Sequence, residues 1–323
     1  MLIRFLFLCS FIWLSACTDL PQEEGFFSKE STNTGLICQN DNPEDFEKAD
    51  FRLKAIYGED NRLDWWESPG RTKDYWAQAT LALMGSSNLV PVSGGYRISA
   101  PTYQDTVGLC DGQPFADQPS ATFCSGFLVT DDIVITAGHC IVDQSDCQNT
   151  RFVFDYAKTD ENQNNYFIPE NSVYSCSDLI SQDDSNGNDF AVLRLDRPVL
   201  DRTPLNVRRN GLLTPGEQVM LIGHPMGLPS KIADGGFVQS VGNVIRASVD
   251  AFAANSGSVI LNSTTGLVEG ILVAGEPDFR FQNGCRVEAV CGANCSGEVI
   301  TPISKVLDSI PEVVYDNPVC EGE

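Results

Sequence analysis

From Phe123 to Gly275 the chain is a succession of short apolar or alternating runs separated by turn residues. They include "GFLV", "IVITA", "RFVFDYA", "FAVLRL", "QVMLIG", "GFVQSVGNVIRASV", "GSVILN" and "GLVEGILVAG". Runs of about four to eight residues rich in β-branched and aromatic side chains, at this spacing, predict an antiparallel sandwich or barrel and not βαβ units. Upstream, "AIYGEDNRLDWWE" sets strand formers around a Gly-Glu-Asp-Asn turn, and "KDYWAQATLALM" is apolar enough for a short helix or strand. Near the end, "TPISKVLDSI" reads as a short C-terminal helix with Ile303, Val306, Leu307 and Ile310 on one face. No internal repeat and no appended second domain stands out.

The first 17 residues, "MLIRFLFLCSFIWLSAC", carry one Arg and then twelve mostly apolar residues, Phe5 to Ala16. Twelve residues at about 1.5 Å each cannot cross a hydrocarbon core of about 30 Å, so this is a signal-peptide hydrophobic region. Leu14-Ser15-Ala16-Cys17 resembles the lipobox of bacterial lipoproteins, which implies removal of residues 1–16, acylation of Cys17 and a location in the bacterial cell envelope. Ordinary secretion is the alternative. Residues 17–54 are polar and acidic and read as a flexible tether or a propeptide. The domain is expected over 55–323, with Cys38 able to pin the tether to it.

Charge and cysteines narrow the partners. A net charge of −23 without a basic cluster argues against nucleic acid and against electrostatic attachment to anionic lipid. Any membrane contact is therefore expected through the lipid alone. Of twelve cysteines, setting aside Cys9 and Cys17 leaves ten, which in an exported protein implies up to five disulfides. Zinc at Cys285, Cys291 and Cys295 is the rival reading, weakened by irregular spacing and the lack of a nearby His.

"CSGFLVTDDIVITAGHC", Cys124 to Cys140, places His139 just after a β-hairpin and between cysteines that a disulfide would join. Closing a loop of about 16 residues contributes roughly 3 kcal/mol in the chain-entropy model. It would also hold the imidazole at the sheet edge. "TAGHC" with a Cys sixteen residues upstream closely resembles the histidine motif of chymotrypsin-like serine proteases, "NDFAVLRL" is similar to their aspartate motif, and "NSGS" to their serine motif. The order His139, Asp189, Ser256 is that family's order. The likeness covers roughly residues 110–310 and is nearest to the bacterial branch related to glutamyl endopeptidases, to which "LIGHPMGLPSKIADGG" and, loosely, "YGEDNRLDWW" also correspond.

The resemblance implies an all-β fold of two packed antiparallel Greek-key barrels, about 75–205 and 206–310, with the active site between them. It implies serine endopeptidase activity on a peptide or protein substrate, without metal or cofactor. A serine hydroxyl is a poor nucleophile at neutral pH, so His139 is expected as general base and Asp189 as the group that fixes its tautomer. Asp183 and Asp184 lie in a polar loop and read as turn residues. Ser258 and Ser263 lack the family's flanking residues, and His224 in "GHP" reads as structural. The resemblance assigns the oxyanion hole to the backbone of Ala254 and Ser256, and the pocket wall to Val273, Ala274 and Gly275. Cys124–Cys140 is the expected disulfide, with Cys147–Cys176 a second one between neighbouring strands.

Three departures from the family pattern matter. Ala254 stands where the family has Gly; if a positive φ is required there, its Cβ costs about 1–2 kcal/mol and leaves the backbone free to withdraw the donor. Asn255 replaces the acid that pairs with a new N-terminal ammonium in the trypsin branch, so that activation route is not expected, although removal of a segment near Ala55 or Ile56 stays open. Asp250 lies six residues before Ser256, the offset of an acid that selects basic substrate residues, and is either that selector or a structural residue. Two further functions remain: a catalytically silent lipoprotein used for binding or as a scaffold, and an esterase with the same triad.

Overall fold

A computed structural model describes residues 55–311 apart from 71, 212, 293 and 294. The expected signal peptide, Cys17, the tether with Cys38, and Cys320 lie outside the described residues.

The apolar runs become two closed six-stranded antiparallel barrels. The first is built from β1 (Thr80–Gly85), β2 (Cys124–Leu128), β3 (Ile133–Thr136), β4 (Thr150–Val153), β5 (Val173–Asp183) and β6 (Phe190–Leu195), in ring order 1-4-5-6-3-2. The second uses β7 (Gln218–Gly223), β8 (Lys231–Val241), β9 (Ile245–Ala247), β10 (Val259–Asn262), β11 (Val268–Ala274) and β12 (Glu298–Pro302), in ring order 7-10-11-12-9-8. Counted from each barrel's own first strand, the two ring orders are identical. A repeat invisible in the side chains is thus present in the topology.

Some runs are continuously apolar because both faces of the strand are buried. In β7, Val219 and Leu221 join the core inside the second barrel, while Met220 and Ile222 join a larger cluster shared with the first barrel. The alternation recurs in β10, with Ile260 inside and Val259 and Leu261 toward that cluster, and in β11, with Leu272 inside and Ile271 and Val273 toward it. The larger cluster also contains Leu81, Leu83, Phe127, Ile135, Phe152 and Leu193. One apolar layer therefore joins the barrels.

The N-terminal segment does not form a hairpin with itself. Ile56–Tyr57 pairs in parallel with Val290–Cys291, and Arg62–Asp64 extends β8 in antiparallel register. Charges are buried where it docks. Arg62 bonds Asp60 and Glu288 and lies 4.3 Å from the Phe252 ring centre, while Lys231 donates to Asp64 at 2.5 Å and to Gln118 at 2.7 Å. Burial pushes the Lys231 ammonium down to about 8 although Asp64 opposes this. "KDYWAQATLALM" is helical turn and strand in succession: a π turn over Thr72–Trp76, a 3₁₀ turn over Ala77–Ala79, then β1.

The expected C-terminal helix is replaced by two 3₁₀ turns, Ile303–Lys305 and Leu307–Ser309. Ile303, Val306 and Ile310 are still buried as expected. β-branched residues at those positions favour an α-helix weakly, Asp308 and Ser309 compete for local backbone bonds, and Pro311 ends the segment. Four disulfides are present among the described residues: Cys110–Cys285, Cys124–Cys140, Cys147–Cys176 and Cys291–Cys295. They indicate an oxidising compartment. They also remove the zinc alternative, because a zinc ligand is a thiolate and all three candidate sulfurs are bridged.

Candidate active site

His139 sits in the 3₁₀ turn Gly138–Cys140 that follows β3. That turn presses so closely on the end of β5 that a Cβ on Gly138 would lie 2.4 Å from the Asp183 carbonyl oxygen. Only glycine fits. Asp189 immediately precedes β6, whose pairing of Ala191 with Thr136 on β3, carried two residues back, sets Asp189 opposite Gly138. Its carboxylate meets His139 twice: Oδ2 lies 2.8 Å and Oδ1 3.1 Å from Nδ1, and the His139 backbone N–H donates to Oδ1 at 3.1 Å. An Nδ1–H facing a carboxylate leaves Nε2 as the basic nitrogen. The Asp189 side chain is 4% exposed and that of His139 23%, so the carboxylate is enclosed while the imidazole reaches solvent.

Ser256 lies in the second of two consecutive turns. The Asn255 N–H donates to the Phe252 carbonyl at 3.1 Å, with Ala254 at φ +63°; the Ser258 N–H donates to the Asn255 carbonyl at 2.8 Å, with Gly257 at φ +87°. Both left-handed residues occupy the third position of their turn, which a type II turn reserves for Gly or Asn. Gly257 satisfies the rule, and a Cβ there would lie 2.0 Å from the Ser125 carbonyl oxygen. Ala254 violates it, at a cost of about 1–2 kcal/mol. The Ser256 carbonyl accepts from the Ser125 N–H at 2.8 Å, and its Oγ lies 3.5 Å from the Val273 carbonyl oxygen. Cys140 Sγ, beside His139, is 3.8 Å from the same Ser256 carbonyl. The histidine loop of the first barrel and the serine turn of the second are thus in contact.

Residues 124–271 match the sequence model of the family described as a trypsin-like peptidase domain. This stretch is similar to trypsin-like peptidase domains. The two barrels, which take strands from both sides of this stretch, are those of the chymotrypsin-like serine-protease fold. Among solved structures, a Glu endopeptidase in complex with MPD is 15% identical at a TM-score of 0.47, covering 79% of this chain and 97% of that one. HBP, solved at atomic resolution, is 16% identical at a TM-score of 0.46, covering 75% and 93%. No curated protein matches the sequence.

Around the serine turn, the other sequence candidates separate. Asp250, open as a selector of basic residues or a structural residue, has its carboxylate on the N-terminal segment. Its Oδ1 accepts from the Tyr57 N–H at 2.7 Å and Oδ2 from the Asn61 N–H at 2.6 Å, so both oxygens hold the N-terminal segment. Val273 is buried at the end of β11, Ala274 is half-buried, and Gly275 follows. Behind Gly275 stands a residue that sequence reasoning missed. A Cβ on Gly275 would lie 1.8 Å from Glu298 Oε2. The buried Glu298 carboxylate also accepts from the Ala55 N–H at 3.2 Å and the Tyr57 hydroxyl at 3.1 Å. Its one sequence signal was an acid opening the apolar strand "EVITP".

Asn255 accepts the Ser258 hydroxyl at 3.0 Å. Ser263 is half-buried and its hydroxyl donates to Asp234. Asp183 accepts from the backbone and hydroxyl of Ser185, a turn contact. His224 is fully buried, bonded from Nδ1 to the Leu228 carbonyl at 3.0 Å and stacked on Tyr156 at 5.7 Å, and burial pushes its pKa down to about 4. It is a neutral structural histidine. Cys124, His139 and Cys140 bring potential metal-ligand atoms together, but both sulfurs are used in their disulfide.

Asp250 generates a pH test. Burial is the largest influence on its carboxyl and outweighs the two N–H bonds, raising it from 3.8 to about 6. The folded chain then holds this proton more tightly than an unfolded one, where the value is about 3.9. The contribution of this group to stability is full below about pH 4 and is lost as pH rises through about 6. Denaturant melts from pH 4 to 6 are expected to show wild type weakening relative to Asp250→Asn; parallel curves would refute the assignment.

Proposed function

We propose that the protein is a serine endopeptidase that cleaves a peptide or protein substrate through an acyl-enzyme at Ser256. The observation that carries this reading is the pair of hydrogen bonds from His139 to Asp189, through Nδ1 and the backbone N–H, in a loop that touches the serine turn. Asp189 fixes the tautomer in which Nε2 takes the Ser256 proton. His139 then returns that proton to the leaving amine, and Asp189 stabilises the imidazolium between the two transfers. The Ala254 and Ser256 N–H groups receive the charge that develops on the substrate carbonyl oxygen. None of these steps calls on a metal or cofactor. Val273, Ala274 and Gly275 wall the substrate side chain, and residues 55–323 make up the catalytic domain.

The disulfides and the leader sequence support export, and the Leu-Ser-Ala-Cys motif supports anchorage outside a bacterial membrane through acylated Cys17, with residues 17–54 as tether or propeptide. One observation favours a second reading. Ala254 holds a conformation that costs an L residue energy, and a protein that had abandoned turnover for a binding or scaffold role would tolerate a weakened oxyanion hole.

A fluorophosphonate probe separates the two readings. Labelling of the oxidised, folded protein at neutral pH, abolished by Ser256→Ala, is expected; no labelling of the wild type would leave the silent reading. A peptide library then distinguishes a peptidase from an esterase. For the anchor, Cys17→Ala is expected to abolish incorporation of a labelled fatty acid and to release the protein from membranes; a variant that still fractionates with membranes would overturn the lipid assignment.

A further inference from the structure

The left-handed Ala254 raises the question of what keeps it there. Both carbonyls that flank its peptide units are tied down. The Ala253 carbonyl accepts from the Met226 N–H at 2.6 Å, and the Ala254 carbonyl accepts from the Ser125 hydroxyl at 3.2 Å. The Ser125 oxygen in turn accepts from the His224 N–H at 3.0 Å. Two bonds therefore reach the oxyanion turn from the single turn His224–Gly227, one directly and one through Ser125.

That turn is itself rigid. Met226 is left-handed at φ +52°, and Gly227, at φ +76°, passes so close to its neighbour that a Cβ would lie 2.6 Å from the Thr122 carbonyl oxygen. The Gly227 carbonyl accepts from the Ala121 N–H at 2.8 Å, and the buried His224 ring is stacked on Tyr156. Ser125 is also fully buried, on β2, and its own N–H holds the Ser256 carbonyl. Its hydroxyl is thus fixed between the two loops.

Peptide planarity gives these bonds a direction. In a trans peptide the C=O and the following N–H point to opposite sides, and the described residues contain no cis peptide. Anchoring the Ala253 carbonyl on Met226 aims the Ala254 N–H away from Met226. Anchoring the Ala254 carbonyl on Ser125 fixes the next peptide as well. We propose that Ser125 and Met226 are positioning residues that hold the Ala254 N–H toward the oxygen of a substrate bonded at Ser256, Ser125 through its hydroxyl and Met226 through its backbone N–H. This rests on the reading of Ser256 as the nucleophile. The clamp supplies what a glycine would have allowed without help, because the Cβ of Ala254 biases the free backbone away from the left-handed region by on the order of tenfold.

Kinetics of fluorophosphonate labelling test the clamp, since the phosphonyl oxygen of the adduct occupies the same place as a substrate oxyanion. In the parent protein, Ser125→Ala is expected to lower the limiting labelling rate by at least about tenfold, toward the about 10²–10³ expected for a lost donor, while the concentration for half-maximal rate stays put. In an Ala254→Gly background the same Ser125→Ala change is expected to cost less than about threefold, because glycine needs no help to stay left-handed. Ser125→Gly supplies a second deletion of the hydroxyl, and rates are taken per folded, disulfide-intact protein. A parental rate in Ser125→Ala, or equal losses in both backgrounds, overturns the clamp. If the parent protein is not labelled at Ser256 at all, the reading of the nucleophile fails and the clamp falls with it.

Discussion

The place where the two barrels touch beside the serine has no room for a Cβ. Ser125 on β2 gives its N–H to the Ser256 carbonyl and sets its own carbonyl where a side chain on Gly257 would begin. The neighbouring Cys124 is bridged to Cys140, next to His139. A histidine loop from one barrel and a serine turn from the other are therefore brought together by one backbone contact and one disulfide. This explains how a histidine and a serine 117 positions apart in the chain come to lie in touching loops. Packing alone would leave their relative height along the strands free, whereas the hydrogen bond and the missing Cβ fix it.

A second constraint comes from the N-terminal segment. Residues 55–64 lie against the second barrel through backbone N–H groups bonded to two buried carboxylates, Asp250 and Glu298, and through the Arg62 and Lys231 ion pairs. Buried ion pairs contribute little net stability, because desolvation offsets their attraction, but removing one partner leaves a costly orphan charge. Their effect here is to specify where the segment sits. Glu298 stands behind Gly275 and receives bonds from both Ala55 and Tyr57. The segment and the proposed pocket wall are thus coupled through one side chain.

The parts of this arrangement that were legible in the sequence are those written in short stretches of chain. The β pattern showed because β7, β10 and β11 are buried on both faces and so read as unbroken apolar runs. His139, Asp189 and Ser256 stood out through local motifs in a recognisable order, and Cys124 with Cys140 through their spacing about the histidine. Residues that work across long separations did not show. Nothing local to Ser125 announces that its hydroxyl meets Ala254, 129 positions on. Cys110–Cys285 spans 175 residues, and six unassigned cysteines gave no reason to prefer it. The offset of Asp250 from Ser256 left a selector and a structural residue both open, because an offset says nothing of which N–H groups will claim the carboxylate. The C-terminal segment kept its apolar face but not its helix, since a period near three fits a 3₁₀ turn as well as an α-helix over so few residues.

Ala254 brings these threads together, as a residue in a glycine's conformation whose neighbouring carbonyls are both held by other loops. The central claim is that this turn presents a working oxyanion hole at Ser256. A crystal structure of the protein after phosphonylation of Ser256 tests it directly. The account predicts a phosphonyl oxygen within about 2.7–3.1 Å of both the Ala254 and Ser256 backbone nitrogens, with Ala254 still left-handed and the Ala253 carbonyl still on Met226. An adduct whose oxygen turns away from Ala254, or a 253–254 peptide with its carbonyl facing the phosphonate, would contradict it.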